Sequence, residues 1–338
     1  MRMLPWLPCP AYDVDLDAPA AERLAAVPAE MFARAAAVLA DMRARAPRGA
    51  AALVPLLATL LDARTRGRFR DELKQAAARA GVGWRQLLLA NASYDLAMLR
   101  LGCSTLALPT ADGPVLARNM DWWPADKLAA ASCVLRYRRG GRMRFALAGW
   151  PGLVGAVTGL SDRGFAVALN AVLSRDRCRP TGWPVLLHLR RVLEDAADFD
   201  QAVAMLAAPT LVAPALFTVV GSANDQRVCV ERAPARTAVR RARGDEPLVT
   251  TNHYRALPSA GRRLLSDRAA ELFESTARRC EALERLARRL QAAGNTTADG
   301  LLGALADEAV AQESTAQHAL LRPSRGRIDL YVPRRLIG

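Results

Sequence analysis

The apolar pattern changes period at Gly102–Cys103, and that break constrains the fold more than any other feature of the chain. Before it, Ala21 to Arg45 carries Leu, Val, Met, Phe and Ala at three- and four-residue intervals with Arg, Asp and Glu between them, which predicts a helix. A second apolar segment, Leu53 to Leu61, leads into the charged stretch Arg64 to Lys74, and a third covers Trp84 to Leu101. Strand alternation shows only near Tyr12 to Leu16. After the break, short segments of strand composition follow one another: Cys103 to Leu108, Pro114 to Arg118, Ser132 to Tyr137, Arg142 to Leu147 and Phe165 to Leu169. Ala111-Asp112-Gly113, Gly140-Gly141 and Ser161 to Gly164 punctuate them as turns. A helical block (Val185 to Ala207) precedes four more strand segments, at Leu216 to Val220, Arg227 to Arg232, Ala238 to Ala242 and Leu248 to Thr251. Arg263 to Ala292 and the stretch on to Ala311 read as helices, and His318 to Val332 as a hairpin turning at Pro323 to Gly326. Two sets of strands with helices before and between them predict an α+β protein with helices packed outside layered antiparallel sheets.

Composition narrows the function. Half of the 338 residues are hydrophobic, enough to bury a core, so disorder is excluded. The formal net charge of +14 points first to nucleic acid or an anionic surface. The basic set is 45 Arg and 2 Lys, however, spread evenly along an Ala-rich chain. No block of five or six like charges, zinc-finger spacing or aromatic RNA-binding motif accompanies it, which disfavours nucleic-acid binding. The uncharged run Gln201 to Asn224 is broken by Pro209 and Pro214 and reads as a helix end followed by a buried strand, not a membrane span. The N-terminus shows no secretory signal, and the six Cys form no C-x-x-C pair, so the expectation is a cytoplasmic protein with reduced thiols.

Four segments could carry chemistry. Cys103 opens the first strand after the helical part, where a buried structural Cys is the plainer reading. Ala117 to Trp123 ends the next strand, so a hairpin would set Arg118 and Asp121 beside Cys103, in reach to favour its thiolate. Asn252 follows a strand and offers two N–H donors for an oxyanion, although read alone it is better explained as a turn residue. Arg278 and Arg279 lie in a charged helix. His188, His253 and His318 are the only histidines; none sits in a thiol-protease signature, and His188 reads as structural. No His or Cys pair has metal-ligand spacing, so neither metal nor cofactor is expected.

Taken together these segments resemble the acid ceramidase and N-acylethanolamine-hydrolysing acid amidase group of N-terminal-nucleophile (Ntn) hydrolases, akin to bile-salt hydrolases and the penicillin acyltransferase group. Tyr12 to Arg23 is similar to the opening of their α-subunit, and Asn91-x-x-Tyr94-Asp95 to its end. Gly113 to Asp121, Gly149 to Asn170, Leu211 to Phe217 and Thr251-Asn252 follow the family order. The resemblance implies a four-layer αββα sandwich preceded by a helical segment, with residues 1–102 as α-subunit and 103–338 as β-subunit. It implies a zymogen that cuts itself between Gly102 and Cys103, leaving fragments that stay associated. Cys103 would then supply both thiol and α-amine; with a pKa of about 7.7–8.0, that amine makes a catalytic His unnecessary. By the same resemblance Arg118 and Asp121 orient the nucleophile, Asn252 and Asn170 lie on the oxyanion side, and Arg279, by its spacing to Leu283, is the distal Arg. The chain departs from the amidases at Ala171, where they carry Glu, and at His253, where they carry Tyr.

The leading expectation is therefore hydrolysis of a lipid-like N-acyl amide through a Cys103 thioester, with Trp122, Trp123 and Trp150 lining an acyl pocket. Two alternatives remain. Ala171 and His253 lean toward an acyltransferase that passes the acyl group to an amine. The positive charge and Trp6 would suit a degenerate module binding lipid or nucleic acid, and peripheral contact with an anionic membrane is compatible with catalysis.

Overall fold

A computed structural model describes residues 5–45, 50–97, 102–258 and 267–337. Of the segments read from the sequence, Met98 to Leu101 and Arg263 to Ser266 fall outside these ranges. The N-terminal part comprises β1 (Trp6–Pro8), β2 (Ala11–Asp15), α1 (Ala29–Ala44), α2 (Ala50–Arg64), α3 (Arg70–Ala80), α4 (Trp84–Asn91) and α5 (Ser93–Ala97). The helix expected from Ala21 begins only at Ala29, because Pro28 is extended and tolerated just ahead of the first turn. Leu53, Leu56 and Leu60, in the apolar segment read from the sequence, lie exposed on α2.

From Gly102 the chain runs β3 (Gly102–Leu108), β4 (Val115–Asp121), α6 (Ala125–Ala131), β5 (Cys133–Arg139), β6 (Arg142–Gly149), β7 (Thr158–Ser161) and β8 (Phe165–Asn170). It continues as α7 (Val185–Asp195), α8 (Phe199–Ala207), β9 (Ala215–Val220), β10 (Arg227–Arg232), β11 (Thr237–Arg241) and β12 (Leu248–Thr250). The last elements are α9 (Asp267–Ala292), α10 (Ala298–Ala306), β13 (Thr315–Arg322) and β14 (Arg327–Pro333). One sheet has the order β1-β14-β13-β4-β3-β12 and the other β11-β10-β9-β8-β7-β6-β5-β2. Pairing is antiparallel throughout these orders except for β2 on β5.

The sheets stack face to face over a core of small and branched side chains, among them Ala107, Leu116, Ala146, Leu160, Ala168, Leu216 and Leu321. Leu283, Leu301 and Leu305 of α9 and α10 cover the outer face of the six-stranded sheet through Leu106, Leu108 and Val115. Leu186, Leu189, Leu193 and Leu206 of α7 and α8 cover the other sheet, and α1, α3 and α4 join that same cluster. This is the αββα sandwich of an Ntn hydrolase. Strands β3, β4, β8, β9 and β10 are buried on both faces, which is why they read as apolar runs instead of alternating. At Gly159 in β7 a Cβ would stand 2.3 Å from Leu193 Cδ1, so α7 passes the sheet closely only because this residue has no side chain. β7 itself, four residues long, has no counterpart in the sequence reading. Among the described residues no helix is long and apolar enough to cross a membrane.

The N-terminal part is woven into both sheets, since β1 joins β14 and β2 joins β5. A buried cation ties it down further. Arg190 of α7, 1% exposed, meets Glu72 of α3 at 3.0 Å and Glu194 at 2.7 Å, donates to the Val154 carbonyl, and lies over the Tyr137 and Phe145 rings. Tyr137 donates its hydroxyl to Glu72 at 2.5 Å. Removing one partner of such a pair leaves an uncompensated interior charge. Glu72→Ala is expected to destabilise the protein by about 3 kcal/mol in urea unfolding, by the cost of breaking a buried ion pair; an unchanged midpoint would show that Glu194 alone suffices.

Candidate active site

The β3–β4 hairpin sets the site. Its register places Gly102 opposite Asp121 and Cys103 opposite Met120, the juxtaposition expected from the sequence. Cys103 is buried, and Nη2 of Arg118 on β4 donates to its sulfur at 3.0 Å. Arg118 is held in turn by the Val157 carbonyl at 2.8 Å and Thr158 Oγ1 at 2.5 Å, both at the start of β7. The Cys103 N–H donates to Asn252 Oδ1 at 3.0 Å, just beyond β12. The same oxygen accepts from Arg279 Nη2 at 2.7 Å, while Arg279 Nη1 reaches the Cys103 carbonyl at 2.8 Å and Ser104 Oγ at 2.9 Å. Arg279 is buried on α9, and its neighbour Arg278 is exposed.

Asp121 accepts from Thr315 Oγ1 at 2.6 Å and Gln312 Nε2 at 2.9 Å and lies 3.9 Å from Arg279. Burial pushes its carboxyl above the usual range, against the pull of Arg279, Thr315, Arg118 and Gln312. Burial likewise raises the Cys103 thiol, opposed first by Arg118, which favours the protonated sulfur. Burial lowers the Arg279 pKa, opposed by Asp121 and Cys103. No imidazole hydrogen-bonds the sulfur among the described contacts. His188 is pushed down to about 3 by burial and meets the Met205 carbonyl; His318, pushed down to about 4, meets Asn119 Oδ1. His253 Nδ1 lies 3.1 Å from Thr276 Oγ1, the hydroxyl that also accepts the Asn252 N–H.

Asn252 Nδ2 donates to the Ala171 carbonyl at 2.8 Å, leaving one N–H of the amide for a reacting oxygen. Asn170 does not contact Cys103. It bridges the two sheets, donating to the Thr250 and Thr251 carbonyls and accepting from Thr105 Oγ1, and so fixes the strand end from which Asn252 projects. Cys103, Arg118, Asp121, Trp122, Tyr94 and Ala171 border a cavity of about 10 Å³, room for about one water. A second, apolar cavity of about 20 Å³ lies between α1, α4 and the Trp150–Leu153 turn. Trp122 borders the first and Trp150 the second, and their rings meet edge to face at 5.9 Å. Trp123 borders neither, since its face is covered by the Arg45 guanidinium 3.4 Å from the ring centroid.

Thr158, Gln312 and Thr315 are contacts that sequence reasoning missed, and Thr276 lay in the Ser275–Arg279 segment without a role of its own. Single hydroxyls and amides carry no periodic signal, and their relevance comes only from the side chain each one holds. Among the described residues no group of three or more His, Cys, Asp or Glu is placed to hold a metal.

The αββα sandwich with a cysteine at the head of a central strand defines the class, an Ntn hydrolase fold. Residues 109–332 match the family model described as acyl-coenzyme A:6-aminopenicillanic acid acyl-transferase, and the chain belongs to that family. It is 24% identical over 194 residues to acid ceramidase of Balaenoptera acutorostrata scammoni, covering 49% of this chain and 47% of that protein. It is 22% identical over 236 residues to N-acylethanolamine-hydrolyzing acid amidase of Caenorhabditis elegans, covering 65% and 66%. The chain thus spans between about half and two thirds of the curated relatives it matches. The solved Caenorhabditis elegans N-acylethanolamine-hydrolyzing acid amidase ortholog superposes with a TM-score of 0.52 at 19% identity, covering 66% of this chain and 93% of that one, a likeness of fold.

The family-like segment before the nucleophile is also tied to the site. Asn91 bonds the Gly152 carbonyl and the Gly155 N–H, and Tyr94 donates to the Pro214 carbonyl. Asp95 accepts the Val185 N–H at the start of α7, while its Oδ2 has no partner among the described residues. Burial raises Asp95 from 3.8 to about 7. Between those values the folded protein holds a proton that the unfolded chain releases, so this group's contribution to stability falls as pH rises through the interval. Asp95→Asn is expected to remove that decline in urea unfolding measured at pH 5, 6 and 7; an unaltered slope would assign it to another group.

Proposed function

We propose that this protein is a self-processing cysteine amidohydrolase that cleaves a lipid-like N-acyl amide through a thioester on Cys103. The observation that carries the reading is the meeting at Cys103 of Arg118 on its sulfur and Asn252 on its backbone nitrogen, each at 3.0 Å. Residues 1–102 are the fragment severed from the nucleophile and 103–338 the fragment that bears it, and the two stay associated. In maturation the Cys103 sulfur attacks the Gly102 carbonyl carbon, the Gly102–Cys103 C–N bond breaks, and the nitrogen takes up the thiol proton to become an amine. Water then opens the thioester, returning the thiol and leaving a Gly102 carboxylate.

In turnover the α-amine takes the thiol proton as sulfur attacks the substrate carbonyl, and returns it to the departing amine. Water, deprotonated by the same amine, releases the acid. Asp121 and Asn252 Oδ1 hold the ammonium, Arg118 steadies the sulfur, and the remaining Asn252 N–H faces the oxyanion. The cavity beside Cys103 has room for about one water, so an acyl group needs its walls to open. Trp122 and Trp150, one on each cavity and edge to face, offer apolar walls that suit a hydrocarbon chain once the site opens. The strands that the N-terminal part adds to both sheets support continued association of the fragments.

An acyltransferase is the second reading, favoured by the family model matched and by Ala171 on the cavity wall, where the amidases carry a carboxylate. Denaturing electrophoresis is expected to show two fragments for wild type and one for Cys103→Ala. Intact mass spectrometry with a panel of N-acyl amides is expected to find an acyl adduct on the new N-terminus. Asn252→Ala should lower kcat by about 10²–10³-fold, as for loss of an oxyanion donor. Amide formation on adding free amines would favour transfer. Full activity in protein that is still uncut would sink the scheme.

A further inference from the structure

The space beside Gly102 is filled by one side chain that the mechanism has not used. A Cβ on Gly102 would stand 2.8 Å from Gln312 Nε2, 3.0 Å from Asp121 Oδ2 and 3.2 Å from Asp121 Cβ. Gln312 Nε2 is at the same time 2.9 Å from Asp121 Oδ2. Gln312 is itself fixed: its N–H donates to Thr315 Oγ1 at 2.8 Å, Thr315 returns a backbone bond at 3.0 Å, and Arg335 donates to the Gln312 carbonyl at 2.9 Å. The turn from Gln312 to Thr315 therefore grips both carboxylate oxygens of Asp121, one from each end.

We propose that Gln312 is a positioning residue for Asp121 and the reason that residue 102 is glycine, because its amide occupies the room beside the bond to be cut while holding the carboxylate. The proposal rests on the self-cleavage reading above. A methyl group at 102 has two ways to fit. It can displace Asp121 at its Cβ, which the strand holds, or push away the end of the Gln312 side chain, which is mobile but then surrenders its hydrogen bond to Asp121. The second is cheaper, so Gly102→Ala and Gln312→Ala damage the same contact.

Asp121 faces Arg118 on its own strand, Cys103 from β3, Thr315 from β13 and Arg279 from α9. The Gln312 donor favours the ionised carboxylate, the form that holds an ammonium. Losing the donor raises the carboxyl, and the acid limb of turnover then moves to higher pH. Gln312→Glu sets a second carboxyl against the first and should move it further.

The test follows self-cleavage during cell-free synthesis by denaturing electrophoresis. Gly102→Ala and Gln312→Ala are each expected to slow cutting about ten- to hundredfold, the range for one hydrogen bond to a charged group. The double variant should be no slower than Gln312→Ala alone, since the two changes share one contact. Effects that multiply, or a Gly102→Ala chain that cuts as fast as wild type, overturn the proposal and leave the self-cleavage reading standing. Wild type that stays uncut overturns both. Matured proteins are then compared in pH–rate profiles on one N-acyl amide. An acid limb displaced upward in the order wild type, Gln312→Ala, Gln312→Glu supports the proposal; reduced rates with an unmoved limb indicate a packing role and overturn it.

Discussion

Two buried guanidiniums bond a single cysteine with a buried carboxylate 3.9 Å from one of them, and the rest of the site depends on keeping them there. Arg118, Arg279 and Asp121 are all nearly inaccessible to solvent. Each has lost hydration that only fixed partners can replace. Arg118 finds a carbonyl, a hydroxyl and the sulfur; Arg279 finds a carbonyl, a hydroxyl and the Asn252 amide oxygen. Asp121 takes two neutral donors and stands 3.9 Å from Arg279. With two cations to one anion, the excess charge at Cys103 is positive, which favours thiolate and oxyanion over their neutral forms. Burial alone pushes the thiol the other way, so these charges must be present for the sulfur to ionise at all.

The partners arrive from five separate stretches of chain, and the sandwich is what makes them neighbours. β3 and β4 supply Cys103 and Asp121 through a two-strand register; β7 supplies the clamp on Arg118; the end of β12 supplies Asn252; α9 supplies Arg279 from the outer layer; and the approach to β13 supplies Gln312 and Thr315. Asn170 joins the sheets at the point from which Asn252 projects. A shift of one residue in the β3–β4 pairing would send Cys103 to the opposite face, so the site and the register are one constraint.

What could be read from the sequence follows from the same physics. Turn residues marked the strand ends well because Gly113, Gly140, Gly141, Gly164 and Gly326 adopt the left-handed backbone that few other residues reach. β7 escaped notice because Thr-Gly-Leu-Ser has too few residues to show a period. The apolar segment on α2 forms a helix with Leu53, Leu56 and Leu60 exposed, because apolar spacing marks a helix without saying whether anything covers it. Cys103, Arg118, Asp121, Asn252 and Arg279 were legible as a set through their order along the chain, and the geometry gathers them. Asn170 was located without its bridging role, and Trp123 was grouped with its neighbours although Arg45 covers it. Gln312 left no trace, because a glutamine between a helix and a strand means nothing until the opposite wall is known to be Gly102 and Asp121.

The proposed chemistry turns on a property of one nitrogen. While residue 103 is joined to residue 102, its nitrogen is an amide whose lone pair is delocalised into the carbonyl, so it can donate to Asn252 but cannot accept a proton. Cutting the bond leaves the atom in the same surroundings and makes it an amine, which both accepts and returns a proton near neutral pH. Asn252 Oδ1 suits either state, because it receives an N–H from the amide and would receive one equally from an ammonium. On this reading Asp121, already 3.9 Å from Arg279, would gain an ammonium as a further partner after the cut. An uncut chain would then be quiet, its sulfur buried and without a base. Releasing that nitrogen from the peptide bond would supply the base without recruiting another residue.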